Sequence, residues 1–392
     1  MTGFLPDIHS CEIEPGGYTL TLYRGRMGLA SLQANWLRLA DTLSHKRYFH
    51  HYSWYRSYLD SLEENPDSVF FLLATRGDMP AAVFPLKQKV LKFSGLNLRC
   101  LEVPLHPHMN LGDFIFEKNA DNARLVGLVV RHLQRLSGVA WDLIQAPSAL
   151  GDSAAGYALE KAPVSLSVTT LTGQSNQLDC RLPNEQLEGN FKGNFRRNLH
   201  RQQRRAHQMG KLEFHSYTDV GEIRRYFPEF LRVEASGWKG VHGTNTAISC
   251  DPSVRAFYQQ VIDEFGSSGE CRLNLLSLNQ KCIAGQLCLF VDHIPYILKI
   301  GFDEAYAEIA PGNLVMGEMI RQCAEDAGIE TISFVTGREW NFNWGATSMP
   351  VYRHRIFNPR TLKGWLGYLV CRARKVHQRL APAPELAGDT SR

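Results

Sequence analysis

Apolar residues recur along this chain with two periods. Alternation marks strands, and recurrence every three and four positions marks helices with one buried face. Near the start, "YTLTLYRG" reads as a strand. Residues 31–62 carry two helical patterns: Trp36, Leu37, Leu39 and Leu43, then Trp54, Tyr55, Tyr58, Leu59 and Leu62. "SVFFLLATRGDMPAAVFPLKQKVL" gives two strands joined at Gly77-Asp78, a hairpin signal. "NLRCLEV" is a further strand, "DNARLVGLVVRHLQRL" an amphipathic helix and "AWDLIQAP" the strand after it. Residues 150–190 are rich in Ser, Thr, Gly and Pro and lack periodicity, which places a domain junction there. Beyond it the theme returns. "CRLNLLSL" and "KCIAGQLCLFVD" flank Asn279-Gln280 as a hairpin, and "IPYILKIGF" follows as a strand. A helix runs from about Asn313 to Ala327 with Gly328 as its cap, and "ETISFVT" is the next strand. Both halves read as helix, hairpin strands, helix, strand.

Bulk composition narrows the class. With 392 residues, 44% of them hydrophobic and 21% charged, the chain can bury the cores of two ordinary domains. A net charge of +4 makes it no polycation, so local charge matters more. The 9 cysteines form no CxxC pair, and Cys282 and Cys288 are too loosely spaced for a zinc knuckle. Reduced structural thiols, no metal and a cytoplasmic location are expected. The N-terminus lacks a basic stretch followed by an apolar run, which argues against a secretory signal. No run of about 18 apolar residues is long enough to span a membrane.

Four stretches could carry chemistry. In "YILKIGFDEAYAEIAPGNLVMGEMI" a strand hands over to a helix through Pro311-Gly312. Unpaired amides and a positive dipole at a helix start suit an anion, although Pro-Gly also makes a plain turn. In "NFKGNFRRNLHRQQRRAHQMGK" Arg197, Arg201, Arg204 and Arg205 lie at helical spacing with no carboxylate among them. That pattern suits a polyanion: cofactor phosphate, RNA or anionic lipid. "EFLRVEASGWKGVHGTN" puts Glu234, Trp238 and Lys239 where a helix breaks into a Gly-rich loop. A carboxylate beside Trp can serve as a base, or the Trp can simply anchor the helix end. "FVTGREWNFNWG" ends a strand with Arg338, Glu339 and Trp340, a place for function or for a packed aromatic loop.

Together these stretches resemble the acetyltransferase domain of the CelD family, linked with bacterial cellulose biosynthesis, within the GNAT superfamily and similar to FemAB peptidyltransferases. The resemblance implies an α/β (α+β) fold of tandem GNAT-like domains, each a mixed, mostly antiparallel sheet flanked by helices. The expected division is a degenerate N-terminal domain (1–165), an acyltransferase domain (166–360), then a basic helix and disordered tail (361–392). It implies N-acyl transfer from acetyl-CoA or another acyl-CoA, in exopolysaccharide biosynthesis. The donor pyrophosphate would sit at Ala310, Pro311, Gly312, Asn313 and Leu314. This turn keeps one glycine where the usual GNAT turn has two and a Gln or Arg. Relatives tend to show Tyr-Lys where this chain has Trp340-Asn341.

Acyl transfer to an amine needs a polarised carbonyl, a neutral amine and a protonated leaving thiolate. A backbone amide of "YILKIGF" would hold the oxyanion, Glu234 or Glu339 would take the proton, and Lys239 or Tyr296 would return one. Trp238, Tyr296, Asp303, Arg338 and Trp340 are expected to bind the acceptor, a small molecule or glycan precursor. Arg197, Arg201 and Arg204 are expected to bind an anion. Two other readings stay open: a FemAB-like transferase using aminoacyl-tRNA, its basic helix on tRNA, and a non-catalytic scaffold that keeps the fold. Finally, "TLKGWLGYLVCRARKVHQRL" is a basic helix with an aromatic-apolar face. It either finishes a core or lies on the anionic inner face of a membrane through residues 361–380.

Overall fold

The computed structural model describes residues 9–14 and 16–380; the expected tail beyond residue 380 lies outside them. Strands β1 (His9–Glu14) and β2 (Tyr18–Arg24) lead into helices α1 (Gly25–Ala40) and α2 (Tyr52–Ser57). Then come β3 (Val69–Arg76), β4 (Met79–Phe93), β5 (Leu96–Glu102), β6 (Ile115–Phe116), α3 (Asn122–Leu133), β7 (Leu143–Leu150) and α4 (Ala154–Lys161). A long β8 (Ser167–Asp179) crosses to the second half: α5 (Asn184–Gly189), α6 (Gly193–Met209), β9 (Leu212–Tyr217), α7 (Val220–Glu234) and α8 (Pro252–Ser267). The chain closes with β10 (Cys271–Leu278), β11 (Lys281–Val291), β12 (Ile294–Phe302), α9 (Pro311–Glu325), β13 (Thr331–Ser333), β14 (Thr347–Phe357) and α10 (Leu362–Leu380).

Turn chemistry sets the hairpins. Asn279 and Gln280 both take positive φ, 51° and 67°, and pair Leu278 with Lys281. Two left-handed residues match the right-handed twist of flanking strands. Asp292-His293 does the same between β11 and β12, a turn whose sequence carries no glycine to announce it. Several readings need correction. Residues 150–190, read as lacking periodic structure, hold α4 and the 13-residue β8, whose Ser/Thr/Gln-rich strand has only part of its length buried. Leu37 points to solvent, because the buried face of α1 is Leu29, Leu32, Trp36 and Leu39. The helix after Pro311 ends at Glu325 with Asp326 as cap, not Gly328. The strand in "ETISFVT" stops at Ser333.

One sheet runs through both halves in the order β1-β2-β3-β4-β5-β7-β14-β8-β13-β12-β11-β10-β9, with β6 on β4. Neighbours are antiparallel except two pairs, β5 with β7 and β12 with β13. Each half contributes one parallel pair after a crossover helix, α3 or α9. The final strands are exchanged: β8 pairs β13 of the second half, β14 pairs β7 of the first, and β8 and β14 pair with each other. On one face, helices of both halves share a core in which Trp54 meets Phe257 at 5.1 Å and Tyr48 meets Tyr296 at 5.0 Å. Trp54→Ala should cost about 3–5 kcal/mol of stability, measured by chemical denaturation, with both halves unfolding together. A second-half core that keeps its original midpoint would show that the shared core does not couple them.

Candidate active site

The site begins where β12 and β13 separate. They share one register pair, Tyr296 with Ser333. After it each follows a different neighbour. Val335 takes φ 62°, unusual for a β-branched residue, and Thr336 N–H donates to Phe334 C=O at 2.6 Å. This three-residue turn ends the pairing, and such strain gathers at functional positions. Phe334 and Gly337 N–H then donate to Asn176 and Gln174 carbonyls of β8. Buried Asn176 also accepts from Arg338 N–H at 2.9 Å and from Asn341 Nδ2 at 3.2 Å. Asn341 therefore pins the loop.

On the other side of the gap, β12 carries a bulge. Leu287 pairs with Lys299 and Cys288 with Ile297, which leaves Leu298 as the extra residue. A bulge shifts the alternation by one. Tyr296 faces Tyr48, and beyond the bulge Lys299 lies 5.7 Å from the Tyr258 ring on that same face. Pairing of Lys299 and Gly301 with β11 sends the backbone of Ile300 and Phe302 the other way, into the gap. There Ile300 C=O accepts from Lys239 Nζ at 2.7 Å and Phe302 C=O from Ser236 Oγ at 3.0 Å. The Ile300 N–H faces the same way.

Helix α7 delivers the acidic partner. Glu234 is fully buried: one oxygen accepts from Ile248 N–H at 2.8 Å, and the other lies 3.5 Å from Lys239 Nζ. Gly301 permits this approach, since a Cβ there would stand 2.4 Å from Glu234 Cα. The loop after α7 folds on itself through Thr244 N–H to Trp238 C=O (2.7 Å) and Thr246 N–H to Lys239 C=O (2.9 Å). That fixes Lys239 between carboxylate and strand.

Two adjoining cavities result. The first, about 310 Å³, is lined by Glu234, Trp238, Lys239, Ile300, Gly312 and Asn313 among others, and reaches the start of α9. Ala310 takes φ 45° and caps α9 without a side-chain bond; among the described residues the Gly312 N–H has no partner. The second cavity, about 590 Å³, lies at the seam of the halves, between Pro107, His108 and Asn110 and the two diverging strands. Trp238, Lys239, Ile300 and Trp340 belong to both. Lys239, Lys299 and Arg338 line the seam cavity, and no carboxylate does. Burial pushes the Lys299 amine down to about 8, helped by the Lys239 cation and opposed by Glu234. Burial likewise pushes His108 down to about 3, so it is neutral, 3.4 Å from Tyr258 Oη.

The structure thus gathers Glu234, Lys239, Trp238, Trp340, Gly312 and Asn313 at one cavity and Arg338 at the next. Ala310 and buried Pro311 shape the turn, while Leu314 faces the core behind it. Three expected residues stand elsewhere. Tyr296 is packed under Tyr48, where burial raises its phenol. Asp303 caps the following turn at Ala305 N–H and pairs with Lys281 at 3.2 Å. Glu339 is exposed on the turn Glu339–Trp344. Arg197, Arg201 and Arg204 are exposed along α6, whose Arg205 pairs with Glu308 just before α9. Sequence reading missed Lys299, although a lone lysine inside the apolar run "YILKIGF" is an anomaly that could have marked it. His108 had no such signal.

Residues 193–344 match the acetyltransferase (GNAT) domain family. The ends of the GNAT segment meet in space, with Phe195 4.7 Å from Trp344. The whole fold is similar to the crystal structure of FemX, at TM-score 0.57 and 11% identity, over 85% of this chain and 98% of that one. L-PGS from Bacillus licheniformis (TM-score 0.46, 14% identity, 78% of this chain and 89% of that) is a more distant structural match. So is a tandem GNAT protein from the clavulanic acid biosynthesis pathway (TM-score 0.44, 8% identity, 86% and 98%). No curated protein matches the sequence. Among the described residues no group of three or more His, Cys, Asp or Glu side chains could hold a metal ion.

Two predictions follow from this geometry. Gly301→Ala should push α7 off β12 and cost about 1–3 kcal/mol, read by denaturant titration; an unchanged midpoint would mean the approach is loose. Lys299 has a folded pKa near 8 against an ordinary 10.5. Between those values the folded state binds fewer protons than the unfolded chain, so stability rises with pH there. Relative to Lys299→Met, the wild type should gain about 3 kcal/mol across that window. Parallel stability curves would show that Lys299 is solvated.

Proposed function

We propose that this protein is an acyl-CoA-dependent N-acyltransferase whose donor lies in the gap between β12 and β13. The supporting observation is the opening of these parallel strands toward an uncapped helix start whose Gly312 amide is free. The GNAT match over the same segment agrees with it. The amide groups and dipole at α9 suit a pyrophosphate, and exposed Arg205 of α6 pairs with Glu308 in the turn that precedes it. The chain departs here from the usual two-glycine turn, yet Gly312 keeps its N–H available.

The residues then divide the work. The Ile300 N–H points into the gap and stabilises the charge that develops on the acyl oxygen. Glu234 and Lys239 position that amide: Lys239 holds the Ile300 carbonyl, and Glu234, with no exposed surface, holds Lys239. Enclosed in this way, Glu234 is a positioning residue rather than a direct base. The acceptor enters from the seam cavity. Lys299, with its lowered pKa, takes the proton from the acceptor ammonium. The amine then attacks the thioester carbonyl, the C–S bond breaks as the amide C–N bond forms, and the second amine proton leaves with the thiolate as free thiol. Because Lys239 and Arg338 but no carboxylate line that cavity, an amine that also carries an anionic group fits best.

Isothermal titration with acetyl-CoA and longer acyl-CoAs tests the donor site. Gly312→Val places a Cβ 3.3 Å from Phe302, a small shift, so the variant should fold. Its acyl-CoA affinity should fall at least about tenfold. Unchanged affinity in a folded variant sinks the assignment, and binding of aminoacyl-tRNA but no acyl-CoA would favour the FemAB-like alternative. With acceptor in hand, wild-type rate should rise with pH through about 8, where the buried Lys299 amine titrates, and Lys299→Met should lose that limb. A retained limb would remove Lys299 as the base.

A further inference from the structure

Helix α10 has two apolar faces where one would suffice. Its inner face, with Gly364, Gly367 and Cys371, is buried on the sheet. A Cβ at Gly367 would stand 3.0 Å from Phe357 and 3.2 Å from Leu98 of the sheet, so the helix lies close. On the opposite side Leu362, Trp365, Leu366, Leu369 and Val376 are exposed by 76%, 44%, 39%, 56% and 52%. The steps between them, three, four and seven residues, align them in one stripe, with exposed Ala373 continuing it. A helix docked by one face normally shows water a polar one. This one shows water a second apolar stripe.

Cations border the stripe. Lys363 donates to Asn97 C=O at 3.2 Å, Lys375 to Thr169 C=O at 2.7 Å, and Arg374 lies 5.2 Å from the Phe93 ring. These partners are neutral, so no charge is cancelled. Arg372 is exposed, with no ion pair among the described residues. From Arg353 to Leu380 the chain has no Asp or Glu. Among the described residues no helix is long and apolar enough to cross a membrane.

We infer that the outer face of α10 docks on an anionic lipid surface. Apolar side chains flanked by uncancelled cations match the acyl boundary and headgroups of such a surface. A second copy of the chain fits worse, because joining two such stripes sets cation against cation. The Trp365 indole, its N–H donated to Pro359 C=O at 3.0 Å, sits at the stripe's edge, the depth that Trp favours at an interface. This inference does not depend on the acyl-transfer reading.

Co-sedimentation of the full chain with vesicles tests it. The protein should bind phosphatidylcholine vesicles holding about 30 mol % phosphatidylglycerol and not pure phosphatidylcholine, and should release as salt rises. The triple change Leu362→Ser, Leu366→Ser, Leu369→Ser touches exposed positions and should leave thermal unfolding unaltered. It should lower partitioning at least about tenfold. Arg372→Glu should lower it roughly fivefold or more. No binding to anionic vesicles at low salt overturns the inference. So does binding that the triple change leaves intact. A wild-type dimer in sedimentation equilibrium, dissolved by the triple change without lipid binding, would assign the face to a second copy instead.

Discussion

Everything at the candidate site depends on two strands that touch once and then part. The single register pair of Tyr296 with Ser333 is followed at once by the bulge at Leu298 on β12 and by the turn at Val335 on β13. A zipped parallel pair would satisfy its own amides and leave nothing for a ligand. Here β13 stays with β8, β12 stays with β11, and the edge of β12 meets side chains instead: Lys239 and Ser236 hold its carbonyls. The bulge has a second effect. It turns Lys299 onto the face shared by both halves, so that the cavity on that side is cationic.

The first half shows the contrast. Its parallel pair, β5 with β7, stays zipped over Cys100, Leu101 and Glu102. Buried Glu102 and Gln145, with half-buried Lys89, fill the place with their own hydrogen bonds. No equivalent gap forms there. What the first half supplies is a wall: His108 and Asn110 close the seam cavity, and Tyr48 and Trp54 anchor the shared core. The exchange of β8 and β14 makes the two halves one sheet, which holds that wall at a fixed distance from β12.

Local patterns were legible where local physics decides them. Gly77-Asp78 and Asn279-Gln280 turned hairpins because Gly77, Asn279 and Gln280 accept positive φ. The strand, Pro-Gly and helix order was readable, as was the cluster of Glu234, Trp238 and Lys239 at a helix end. What depended on distant pairing was not. β8 lacks alternation because its middle is exposed on both faces, and its neighbours, β13 and β14, come from far along the chain. Tyr296 and Lys299 exchanged expectations because a one-residue bulge decides which face each sees. Glu339 and Asp303 carry the right chemistry in the wrong place: one on an exposed turn, the other committed to Lys281 and a cap.

Hydrogen exchange measured by mass spectrometry, with and without acetyl-CoA, tests the central claim most directly. If the donor lies between the parted strands, amides of residues 296–302 and 310–316 should gain protection together while the first half's β5 and β7 do not change. Protection confined to other segments, or none at saturating acetyl-CoA, would contradict the account.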